Sequence, residues 1–99
     1  MHIAYSVNDV PIRLTFERWC HITENHDDLA GSFYDVLETI EKPEYVLRGN
    51  KGTLKAVRNV GNRKWLVVIY REMQTSDGFI ITAYFLNNTP KGELLWTQK

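Results

Sequence analysis

Two stretches of the chain carry apolar residues at almost every position, Lys64 to Arg71 (KWLVVIYR) and Gly78 to Leu86 (GFIITAYFL). Their Val, Ile, Phe and Tyr content favours strands, and the six residues between them, with Ser76-Asp77-Gly78 marking the turn, make them antiparallel neighbours at the centre of a sheet. Leu66, Val68 and Tyr70 alternate with Trp65, Val67 and Ile69, and Phe79, Ile81 and Phe85 oppose Ile80 and Tyr84. Apolar side chains of both parities predict a sheet covered at least partly on both faces. Arg71 and Thr82 interrupt this pair, and a polar group there needs a partner or a purpose.

Upstream, Ile3, Tyr5 and Val7 share one parity, Asn8-Asp9 marks a turn, and Val10, Ile12 and Leu14 follow. This pattern is a short hairpin, with Pro11 expected to confine its second strand to a sheet edge. Thr15 can cap a helix from Phe16 to about Asn25, whose stripe of Phe16, Trp19, Cys20, Ile22 and Thr23 faces the core while Glu17, His21 and Glu24 lie opposite. Ser32 to Asp35 has the form of a capping box before a second helix with core positions Phe33, Val36, Leu37 and Ile40, which Pro43 ends. Tyr45 to Arg48 and Thr53 to Val60 read as two further strands joined by the turn Gly49 to Gly52, with Gly61-Asn62 turning into the central pair. The expected fold is α+β, with two N-terminal helices packed on an antiparallel meander of about four strands.

Ninety-nine residues make one domain, with a core over residues 12–86 and a C-terminal tail over residues 87–99. The tail carries Leu94, Leu95 and Trp96, which either fold back as an edge strand or dock a second copy or a partner. No apolar run is long enough to cross a membrane, and no leader-like segment opens the chain, so a cytoplasmic protein is expected. One cysteine, Cys20, leaves no internal disulfide and no cysteine-based zinc site.

The formal net charge of zero conceals a strong asymmetry. Residues 1–47 hold three basic residues against nine acids, net −6. Residues 48–71 hold Arg48, Lys51, Lys55, Arg58, Arg63, Lys64 and Arg71 with no acid, net +7. Such a run is either a solvated face that pairs with the acidic helices or an anion-binding surface for a phosphate backbone.

No phosphate loop, dinucleotide fingerprint, EF-hand or zinc-ligand spacing occurs, so neither a metal nor a cofactor is expected. His21 and His26 are separated by about 140° on a continuous helix and cannot share a metal unless the helix ends between them. Asn25 and Asp27-Asp28 allow such an ending. His26 can equally be a capping or core-satisfying group, and His21 a surface residue beside Glu17 and Glu24. Both imidazoles suit proton transfer near neutral pH. Arg71 as an anion clamp, Thr82 as a hydroxyl donor, and Tyr70 or Tyr84 as a stacking or proton-donating ring complete the candidates, against ordinary roles as an ion-paired arginine and a good strand former.

Taken together, WCHITENH early, YRE in one central strand and GFIITAYF in the next make the chain resemble the phage-associated small ribonucleases of the barnase, EndoU, colicin and RelE-like (BECR) fold, over about Ile12 to Phe85. The resemblance implies a metal-independent endoribonuclease of toxin or effector type, with a cleft between the helices and the sheet. It maps catalytic roles onto His21, His26, Arg71 and Thr82. A proline often follows the second histidine in that pattern, and Asp27 stands there instead. RNA cleavage by the 2′-hydroxyl needs proton transfer at two oxygens and fixed cations on the phosphorane. Lys51, Lys55, Arg58, Arg63 and Lys64 then guide the RNA backbone, with a base stacked on Tyr70 or Tyr84. A cognate inhibitor or antitoxin protein is the partner the resemblance implies, beside a homodimer through the C-terminal segment. The competing reading is a noncatalytic protein- or RNA-binding module of the same fold.

Overall fold

The computed structural model describes residues 1–98. A hairpin of β1 (His2–Tyr5) and β2 (Pro11–Leu14) comes first. It is followed by α1 (Phe16–Asn25), a 3-10 turn at Asp27–Leu29, and α2 (Phe33–Glu41). The remaining strands are β3 (Tyr45–Arg48), β4 (Leu54–Gly61), β5 (Lys64–Gln74), β6 (Asp77–Leu86) and β7 (Leu94–Thr97). All belong to one sheet in the order β1-β2-β6-β5-β4-β3-β7.

The α+β class and the antiparallel meander β3 to β6 match expectation, but the sheet has seven strands rather than about four and is mixed. The N-terminal hairpin joins the meander through a parallel contact, Ile12 with Gly78 and Arg13 with Phe79. At the other edge β7 pairs with β3, so the C-terminal segment is a strand, with Trp96 half-buried and Leu94 and Leu95 exposed. Pro11 does not force β2 to an edge. It is the first residue of the strand, and β6 is paired only from Ile12 on, so its missing N–H interrupts no ladder bond to β6.

The parallel contact is close. A Cβ on Gly78 would stand 2.5 Å from Ile12 Cδ1 and 2.6 Å from the Arg71 carbonyl oxygen, so only glycine fits between β2 and β5. Gly78 therefore lies inside β6, and the turn between the long strands is confined to Thr75-Ser76 rather than six residues.

Alternation along the strands sends side chains to two different layers. On one face Ala56, Leu66, Val68, Tyr70, Ile80 and Ala83 pack with Ile22, Leu29, Val36 and Ile40 of the helical segment. On the other, no helix lies above Leu47, Val57 and Val67; they are roofed by the half-buried side chains of Tyr45, Trp65, Ile69, Tyr84 and Leu86. Both faces are covered, as the mixed parity of the strands requires, but by different means.

The first helix follows its sequence signals closely: Thr15 Oγ1 accepts from the Arg18 amide at 3.1 Å and the helix ends at Asn25. Phe16, however, is 76% exposed, and the inward positions are Ile22 with the half-buried Trp19, Cys20 and Thr23. Ser32 precedes α2 but its side chain makes no capping bond; its carbonyl accepts from Val36 N instead. Trp19 meets Phe33 edge-on with ring centroids 5.1 Å apart, which ties the two helices together.

Candidate active site

β2 ends at Leu14 while β6 continues to Leu86, and α1 takes the vacated place beside the rest of β6. The register between β5 and β6 slips at this point. Ile69 faces Thr82 and Tyr70 faces Ile80, so Ile81 is an extra residue without an opposite. This β-bulge turns strand phase by one residue, which is why the helix-side positions Ile80 and Ala83 are three apart. Arg18 donates from Nη1 to the carbonyl oxygen of Ile81 at 3.3 Å, joining α1 to the bulge.

Along this seam run two adjoining clefts of about 200 and 180 Å³ that share Arg18. The first is lined by Arg18, His21, Ile22, Asn25, Ile81 and Thr82, the second by Arg13, Thr15, Arg18, Phe79 and Ile80. Both are smaller than the roughly 300–1,000 Å³ of drug-sized ligand sites, a space that admits a compact group such as a phosphate. Arg13 is occupied by Asp77, 3.0 Å from its Nε. Arg18 has no carboxylate partner among the described residues.

The structure thus brings His21 and Thr82 to opposite walls of one groove. His26 is the C-cap of α1, its amide bonded to the Ile22 carbonyl, and its ring lies 6.1 Å from that of Tyr84. Asp27 opens the 3-10 turn, Asp27–Leu29, that follows the helix. Thr82 and Tyr84 share one side of β6 by alternation; Thr82 lines the cleft with His21, and Tyr84 stands beside His26. Burial pushes the Tyr84 phenol above its ordinary pKa.

Arg71 does not line the groove. Its Nη1 stands 3.1 Å from the position a Gly52 Cβ would take, so the side chain leans across β4 toward the β3–β4 loop. The position expected for it beside His21 is held by Arg18, which sequence reading passed over. The signal was present: Arg18, His21 and Asn25 are spaced i, i+3, i+7 and share one helical face.

Tyr70 cannot stack a base. It is 0% exposed within the helix-side core, and burial, then the nearby Glu72 charge, pushes its pKa far up. Its hydroxyl has no hydrogen-bond partner among the described residues. Arg58 is likewise withdrawn from any backbone-guiding role: its Nη1 pairs with Glu38 of α2 at 2.8 Å, holding that carboxyl below its ordinary pKa. The cause is alternation along β4, which sends Lys55 and Arg58 to opposite faces. Lys64 is on the helix side too, 4.4 Å above the Phe85 ring. Lys51 and Arg63 sit in exposed turns with left-handed backbone. Lys55 is on the helix-free face, its Nζ donating to the Lys91 carbonyl at 3.3 Å.

Among the described residues no three His, Cys, Asp or Glu side chains form a metal-ligating group, and no helix is long and apolar enough to cross a membrane. Comparison of the chain with protein-family models, curated proteins and solved structures gives no match.

Proposed function

We propose that the protein is an endoribonuclease that cleaves RNA through the 2′-hydroxyl, with the α1–β6 groove as its catalytic cleft. The observation that carries this reading is the pairing of His21 with Thr82 across a groove whose wall holds Arg18, a guanidinium free of any carboxylate among the described residues. An imidazole, a hydroxyl and a guanidinium around a phosphate-sized space are the groups that phosphodiester transesterification requires.

In this mechanism the 2′ oxygen forms a bond to the adjacent phosphorus as the bond from phosphorus to the 5′ oxygen breaks. The products are a 2′,3′-cyclic phosphate and a free 5′-hydroxyl. One imidazole of the pair His21 and His26 takes the 2′ proton, and the other supplies a proton to the departing 5′ oxygen. Arg18 neutralises charge that builds on the nonbridging oxygens, and Thr82 orients one of them. Protons and charge are then handled by side chains, so the reaction needs no metal ion. A toxin or effector role, with a neutralising partner, accompanies this reading by resemblance.

The test is incubation of the purified protein with end-labelled RNA in excess EDTA. Cleavage leaving 2′,3′-cyclic phosphate ends is expected, and it should vanish when His21 and His26 are both replaced by alanine while the melting temperature stays within a degree or so. Full residual cleavage by that double variant would defeat the proposal. A protein that binds RNA and never cuts it would instead be the noncatalytic module.

A further inference from the structure

Side chains on the helix-free face of the sheet fall into cross-strand rows whose chemistry changes from one end of the strands to the other. Arg71 stands in the first row, and Lys55 faces Ile69 in the second. Tyr45, Val57, Val67 and Tyr84 form the third, and Trp65 stands in the last. Successive rows are two residues apart along a strand, about 7 Å, so the set spans roughly 20 Å.

The first two rows are cationic. Lys55 and Arg71 are half-buried diagonal neighbours, and neither has a carboxylate partner among the described residues. Lys55 Nζ meets only the Lys91 carbonyl, the Arg71 guanidinium leans toward Gly52, and Asp77, the one acid of β6, is held by Arg13. The last two rows are aromatic, with a carboxylate at their rim. Tyr45 and Tyr84 flank the fully buried Val57 and Val67, and the ring centroids of Tyr45 and Trp65 are 6.0 Å apart. Glu44 accepts from the Asn59 amide at 2.7 Å and has no cationic partner among the described residues. Burial, then the Glu44 charge, raises the Tyr45 phenol pKa, so this carboxylate stands near the ring.

From this polarity we infer that the helix-free face is a two-fold interface, packed against the same face of a second copy of the chain. A two-fold axis that crosses the strands between the Lys55 row and the Tyr45 row turns the partner end for end. The cationic pair of one copy then lies over the ring end of the other, where the partner's Glu44 supplies the opposite charge and the partner's Trp65 and Tyr45 supply π faces. Each contact occurs twice, as an isologous interface requires. Ile69 and the third-row rings fill the middle, giving two sheets about 10 Å apart with the helices outermost. Charge complementarity selects this occupant, because a nucleic-acid strand is charged evenly along its length and would set phosphates against Glu44. The inference is independent of the ribonuclease reading, and the interface is the sheet face rather than the C-terminal segment.

The experiment is sedimentation velocity of the full chain over a concentration series. A reversible monomer–dimer equilibrium with a dissociation constant on the order of 10⁻⁵ M is expected. The double variant Lys55→Glu, Arg71→Glu should dimerise at least about tenfold more weakly, and so should Glu44→Lys, because like charges then meet at both ends of the interface. An equimolar mixture of these two variants should dimerise about as well as wild type, since unlike charges again meet at both ends. A wild-type chain that stays monomeric throughout overturns the inference. So does a dimer that neither variant weakens, or a mixture that associates no better than its components. Should Glu44→Lys fail to fold, Lys55→Gln with Arg71→Gln, which alters no core side chain, decides alone through the same tenfold loss. A monomer that instead binds single-stranded RNA through Lys55 and Arg71 also overturns it.

Discussion

The Arg18 guanidinium bonds the carbonyl of Ile81, the one residue of β6 in the bulge that has no opposite on β5. A helix side chain thus takes up a carbonyl on the strand edge beyond the end of β2, beside the groove that His21 and Thr82 line.

Replacing Arg18 by Gln removes the charge and retains a donor. RNA cleavage should fall by about 10²-fold, the usual loss when one donor to a developing oxyanion is removed. Initial rates on a defined oligonucleotide check this, and a loss under threefold would take Arg18 out of the mechanism.

The two histidines should not be equivalent. His21 lines the groove with Thr82, whereas His26 reaches the seam beside Tyr84. His21→Ala should cost about 10²–10⁴-fold in rate, and His26→Ala less, as single-turnover assays on the same RNA can read. The opposite order would place the scissile phosphate beside Tyr84.

Tyr70 gives a pH dependence with a definite sign. Its folded pKa lies above the ordinary phenol value of 10.0 because burial, then the Glu72 charge, disfavours the phenolate. The native state therefore holds its proton where the unfolded chain has lost it, so this stability is intact below pH 10 and drains away as pH rises beyond it. Burial raises Tyr45 and Tyr84 in the same direction. Tyr70→Phe should flatten the decline in denaturant midpoint measured from pH 9 to 11 (about one unit on either side of the ordinary phenol value). At pH 7 the variant should be as stable as wild type or more so, because it removes a buried hydroxyl that has no partner among the described residues. A loss of more than about 1 kcal/mol there would mean the hydroxyl has a partner.

Gly78→Ala would place a methyl between Ile12 and the Arg71 carbonyl, and should destabilise the fold by about 1–3 kcal/mol. Urea titration measures the loss. Because β2 leads directly into α1, this variant should also loosen the groove and lower RNA affinity; unchanged stability would show that β2 can retreat from β6 without cost.

The helices, the β3–β6 meander and the Thr15 cap were legible in the sequence because each is written in local periodicity or in one side chain near one amide. The parallel docking of β2 was not, since its partner lies far along the chain and its only mark is Gly78, which reads equally well as a turn residue. Ile81 likewise looks like an ordinary strand position until the register of β5 is known. That hidden bulge, together with the lean of Arg71 toward Gly52, explains why the expected convergence of His21, His26, Arg71 and Thr82 becomes a seam with Arg18 at its centre.

The pairing of Ile12 with Gly78 joins residues 66 positions apart. Closing so long a loop costs more entropy than any hairpin of the meander, so β3 to β6 can assemble early and the β1–β2 hairpin must join late. A nascent or partly unfolded molecule would then possess its central sheet before β2, and the α1 helix that follows it, settle against β6, so the groove is the last part of the fold to take shape.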